Sequence, residues 1–151
     1  MADNFRFLKK KDILSLTSIR KYETKLGEVV ECAKEEDFET SIASSKADYV
    51  IIGIPEQAGV LANYGKSGTQ TLWPDFLKSF LNIQSNDFLS GKEIFIGGYF
   101  DFSEELKLIN ATAPNAEERI DALRTLVHKI DERVEEVVKI ITRQKKIPIL
   151  I

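Results

Sequence analysis

Few side chains here could do chemistry on their own. The chain carries one histidine, His128, and one cysteine, Cys32. Serine–histidine–aspartate or cysteine–histidine catalysis would have to run through that one imidazole, and a metal site needing two histidines is excluded. A single cysteine also rules out an internal disulfide framework and a cysteine-rich zinc site. His128 lies between Val127 and Lys129 in a helical stretch, which reads as a boundary or surface position. Cys32 has no activating neighbour in sequence and reads as a small buried apolar group. Asp101, in Tyr99-Phe100-Asp101-Phe102-Ser103, is open to two readings: a site carboxylate, or a group that fixes the loop and caps a helix. Gly59 with Gly65-Lys66-Ser67 has the outline of a phosphate-binding loop. Five residues separate its glycines where the motif has four, and Tyr64 stands in the place of the second glycine. No Gly-x-Gly-x-x-Gly dinucleotide fingerprint occurs.

Composition narrows the class further. A length of 151 residues allows one domain or at most two small ones, and 43% apolar with 30% charged residues is ordinary for a soluble globular chain. Twenty-one basic against 24 acidic side chains give a net charge of −3, which is no footprint for nucleic acid. Lys9-Lys10-Lys11 reads as a solvated run. No stretch reaches the roughly 18 apolar residues of a membrane span, and no apolar run follows Met1–Arg6 as a signal peptide requires. The scarcity of cysteine points to a reduced, cytoplasmic compartment.

The elements that must position any site follow from hydrophobic spacing. Residues 1–25 are polar and mixed, so irregular structure with one short helical piece is expected. Glu28–Ala33 alternates weakly and suggests a short edge strand. Phe38, Ile42 and Ala43 mark an amphipathic helix over 35–46. Tyr49-Val50-Ile51-Ile52 is a continuous β-branched run of the kind buried in parallel sheets. Residues 55–70 read as a long loop, Leu72–Leu81 as a helix with Pro74 in its first turn, Asn82–Lys92 as a polar loop and Glu93–Gly97 as a second strand. Asn115 followed by Glu118 is a capping-box pattern opening a long helix, with apolar positions from Ile120 to Ile141 and basic residues at its end. Its apolar stripe is wider than a coiled-coil seam and suits packing on a sheet. Ile147–Ile151 reads as a third buried strand. Strands alternating with helices imply a parallel sheet with right-handed crossovers, in which ligands bind beyond the carboxyl ends of the strands.

Gly53-Ile54-Pro55-Glu56-Gln57-Ala58-Gly59, continuing through Asn63-Tyr64-Gly65 to Gly68, resembles the ureohydrolases, the family of arginase, agmatinase and formimidoylglutamase. The match runs without gaps to about Trp73. Ala62-Asn63-Tyr64-Gly65, Leu72-Trp73-Pro74 and Asn82-Ile83-Gln84-Ser85-Asn86 look most like the formimidoylglutamase-like branch. Gly98-Tyr99-Phe100-Asp101, the long helix and Ile147-Pro148-Ile149-Leu150 follow in the family's order. The resemblance covers about 48–151, and departs from arginase proper at Gly68-Thr69 and Trp73.

This resemblance implies an α/β fold: a partial three-layer α/β/α parallel sheet forming the N-terminal portion of an arginase-like fold over 48–151. Residues 1–47 would be an N-terminal extension with a short helix and a possible edge strand. It also implies a manganese-dependent parent that hydrolyses small amidine or guanidino substrates, in which paired ions generate the attacking hydroxide. The family's first metal motif, Gly-Gly-x-His, follows the third strand. The resemblance therefore assigns no catalytic residue and no metal ligand to this chain, which is expected to be inactive alone and to hold no cofactor. What it leaves here is a substrate rim of Asn63, Tyr64 and Lys66, in the loop after the first strand. For Asn63 the local alternative is a backbone cap, with Gly65 and Gly68 only permitting the turn. A reading of another class stands beside it: a self-contained, non-enzymatic α/β interaction module. Such a module would form homo-oligomers through the sheet edge at Ile147–Ile151 and the Val127–Ile141 face, both left short of cover.

Overall fold

A computed structural model describes residues 4–34 and 37–151. In chain order the elements are β1 (Phe5–Phe7), α1 (Lys10–Ser15), α2 (Leu26–Val29), β2 (Glu31–Cys32), α3 (Phe38–Ser44) and β3 (Tyr49–Gly53). They continue with α4 (Ala58–Ala62), a 3-10 turn (Thr69–Thr71), α5 (Leu72–Phe80), β4 (Ile94–Phe100), α6 (Ser103–Thr112), α7 (Ala116–Arg143) and β5 (Ile147–Leu150). The five strands form one sheet in the order β1-β4-β3-β5, with β2 also on β4. β2, β3 and β5 run parallel to their neighbours, and β1 runs antiparallel to β4. The architecture is thus α/β with a mixed, mostly parallel sheet. Among the described residues no helix is long and apolar enough to cross a membrane.

Strand alternation sends side chains to both faces of the sheet. Val50, Ile52 and Phe95 join a core under α3, α4 and α7, whereas Ile51, Ile94 and Ile96 join a second core under α1, α2 and α5. Between Ile51 and Ile52 the register with β4 slips, so that Ile51 lies opposite Ile96 and Ile52 opposite Gly98. This extra residue in β4 reverses its parity. Phe100 consequently rejoins the core of Phe95, and Tyr99 turns to the other face. The bulge needs glycine. Gly98 has φ +145°, and a Cβ there would sit 2.1 Å from the carbonyl oxygen of Arg6 on β1.

Several expectations change. The sheet is not wholly parallel, because Phe5-Arg6-Phe7 pairs with Gly98–Phe100 and buries Phe5; three residues were too short a run to stand out in a polar segment. The short edge strand expected in Glu28–Ala33 is present as β2 but confined to Glu31–Cys32, with Glu28 and Val29 in α2. The helix expected over 35–46 spans Phe38–Ser44, with the Asp37 carboxylate accepting from the amides of Glu39 and Thr40; Glu35 and Glu36 lie outside the described residues. The stretch 55–70 contains α4, and α6 occupies a segment given no helix. β5 is not buried. It is an edge strand, with Ile147 54%, Ile149 36% and Leu150 47% exposed. The face of α7 is covered: Ile130, Val137 and Ile141 are buried against the sheet. Asn115 caps α7 as expected, its carboxamide accepting from the Glu118 amide at 2.9 Å, but the reciprocal bond of a capping box differs: the carboxamide, not the backbone amide, donates to the Glu118 carboxylate at 2.9 Å.

Candidate functional site

The parallel pair β3 and β4 ends on two turns, Ile54-Pro55-Glu56-Gln57 and Asp101-Phe102. Between them lies a cleft of about 420 Å³, within the size range of small-molecule sites. Its position beyond the carboxyl ends of parallel strands is where open α/β sheets bind ligands. Leu126 and Ile130 of α7 form an apolar floor, and Ser103, Leu106, Lys107 and Asn110 of α6 form one wall. Glu56, Gln57 and Gln70 supply the polar part of the opposite side.

The rim is held from the backbone. Glu56 accepts from the Gly59 amide at 2.9 Å and its carbonyl accepts the Thr69 hydroxyl, which ties the 3-10 turn to the end of β3. The Asp101 carboxylate accepts from the Ser103 amide at 3.1 Å and so fixes the turn that precedes α6, the loop-fixing role its sequence setting allowed. Hydrogen bonds from Ser103, side chain and backbone, hold the Asp101 carboxyl below the usual carboxylate range. Asn4 pins the same turn. Its carbonyl accepts from the Asp101 amide at 2.8 Å, and its carboxamide donates to the Asp101 carbonyl at 3.0 Å and to Glu105 at 2.8 Å. Glu105 is also paired with Lys129 of α7 at 2.8 Å.

Burial by itself would raise the Glu105 carboxyl, but the hydrogen bonds from Lys129 and Asn4 outweigh it and leave the group below its ordinary value. A depressed folded-state pKa stabilises the fold above the unfolded value, about 4.3 for glutamate, and that contribution disappears as pH falls through the folded value. Urea midpoints measured between pH 7 and 3 should therefore fall with acid in the wild type. In Glu105→Gln the fall should be shallower; an unchanged pH slope would show that Glu105 is not linked to folding.

The structure scatters the sequence candidates. Asn63 ends α4 and donates to the Gly59 carbonyl at 3.0 Å, Tyr64 is 81% exposed with φ +59°, and Lys66 is exposed. None of the three lines the cleft. His128 stands on the exposed side of α7, its Nε2 3.5 Å from Glu132. Cys32 is buried beneath a hollow shared with Lys9, Lys10 and Lys34, and burial pushes its thiol up against the opposing pull of Lys10. Asp101 does line the cleft. Glu56 and Gln57 were missed as lining residues, although polar residues directly after an apolar strand are the signal that finds them. Lys107 and Asn110 lie on α6, whose weak amphipathic pattern left no such trace.

Among the described residues no group of three or more histidine, cysteine, aspartate or glutamate side chains is placed to hold a metal ion. The cleft is lined by two carboxylates, Glu56 and Asp101, which are too few to cage two ions, so the residues present do not fit the paired-manganese centre that the family resemblance implies for a parent. No family model, curated protein or solved structure matches the chain.

Proposed function

We propose that the chain forms the N-terminal portion of a ureohydrolase-like fold, nearest the formimidoylglutamase-like branch. In this reading it supplies scaffold and substrate rim, and the hydrolytic metal centre of the parent lies in other segments. The observation that carries it is the succession β3, α5, β4, α7, β5: three adjacent parallel strands in the family's order, with a cleft of mixed polar and apolar lining beyond the ends of the first two. The parent's substrate would be a small amidine or guanidino compound, and its cofactor manganese. The rim of Asn63, Tyr64 and Lys66 lies outside this cleft, and would meet the substrate's polar tail only where the rest of the parent extends the site over the turn after α4.

The purified chain with manganese, assayed against formimidoylglutamate, agmatine and arginine, should give no turnover. Activity that copurifies with the polypeptide would overturn the reading. The encoded reading frame supplies an independent check: a Gly-Gly-x-His continuation after Ile151 supports the assignment, and a different continuation counts against it.

The exposed edge favours a second reading, self-association of a non-enzymatic module. Ile147, Ile149 and Leu150 present apolar surface beside unpaired backbone on β5. Light scattering should then show a defined oligomer that Ile149→Lys dissociates; a monomeric wild type would eliminate this reading.

A further inference from the structure

Helix α6 is the least buried of the α-helices that line the cleft. None of its ten residues is buried, whereas α4 buries Ala58 and Ala62, and α7 buries six residues. Leu106 and Ile109 only partly cover the core. Polar links at two points add to this contact. Glu105 accepts from Asn4 and Lys129, each at 2.8 Å, and Asn110 accepts from the Arg119 guanidinium at 2.9 Å. Short non-helical joints flank the helix, Asp101–Phe102 on one side and Ala113–Asn115 on the other.

We propose that α6 is a lid on the cleft, latched by Glu105 between Asn4 of the N-terminal segment and Lys129 of α7. Segments with little buried apolar contact open at lower free energy than the core that carries them. When α6 lifts about its two joints, the cleft floor at Leu126 and Ile130 becomes accessible while α7 stays folded on the sheet. Asn4 also holds the Asp101 turn, so the latch and the first joint share one residue. The proposal rests on the cleft's construction and not on the family reading.

Native-state hydrogen exchange on the full chain tests it. Amides of Leu106–Thr112 should exchange through an opening that leaves Leu123–Val137 protected. Glu105→Ala should speed exchange in the first segment on the order of tenfold, with the second unchanged. A second readout follows access to the floor. Leu126→Cys in a Cys32→Ala background should react with iodoacetamide faster, by a similar factor, once Glu105→Ala is added. Exchange of α6 and α7 in step in the wild type would overturn the proposal, as would equal acceleration of both by Glu105→Ala. The wild-type exchange pattern decides the matter even where the cysteine variant does not fold.

Discussion

Gly98→Val should destabilise the protein by about 3 kcal/mol or more, the scale reached when backbone strain and steric overlap coincide. Two penalties act at once. The left-handed φ of +145° is one that a β-branched residue does not tolerate, and its Cβ would fall 2.1 Å from the Arg6 carbonyl oxygen. Arg6 is held by the β1–β4 pairing, with Phe5 and Phe7 paired on either side and Asn4 tied to Asp101, so it cannot yield without unzipping β1. Urea denaturation gives the size of the loss. Hydrogen exchange at Phe5–Phe7 would show whether β1 has left the sheet. A midpoint equal to that of the wild type would mean that the bulge can be rebuilt without glycine.

Phe38→Ala should cost about 3–5 kcal/mol, the range for deleting a buried aromatic ring. Phe38 is fully buried and joins strand to helix across the sheet face. Its ring meets Phe5 edge-on at 4.9 Å, stacks on Phe7 at 5.7 Å and meets Phe95 edge-on at 6.3 Å. Gly97 leaves room for it, since a Cβ there would lie 3.0 Å from the ring. Folded domains hold only about 5–15 kcal/mol in total, so this one truncation removes a large share. Phe38→Leu, which refills much of the volume, should recover most of the loss in the same urea titration; equal losses for the two variants would show that ring volume is not what matters.

How much of this was legible in the sequence depended on the reach of each interaction. The Asn115 cap, α7 and the apolar run of β3 rest on neighbours within a few positions, and all three were readable. β1 was not, because Phe5 and Phe7 acquire meaning only opposite Gly98–Phe100. The exposure of β5 was hidden for the same reason: Ile147-Pro148-Ile149-Leu150 looks like a central strand until its place at the sheet edge is known. At the cleft, Asp101 could be picked out as a carboxylate after a strand. Lys107 and Asn110 could not, since α6 packs too few apolar residues to imprint a period on the sequence. The turn Asn63–Lys66 was singled out as a substrate rim only through the family resemblance, and the exposed end of α4 carries it away from the cleft wall.

The pairing of β1 with β4 also orders events during synthesis. Asn4 and Asp101 are 97 positions apart, so the ribosome releases the first strand long before its partner exists. Phe5 and Phe7 must wait in an unfinished chain, with α1, α2 and β3 already emerged. Contacts that span such a distance form late and slowly, and waiting aromatic side chains invite capture by chaperones or by other nascent chains. Slower elongation across the codons for residues 40–100 would lengthen that wait and lower the yield of folded protein.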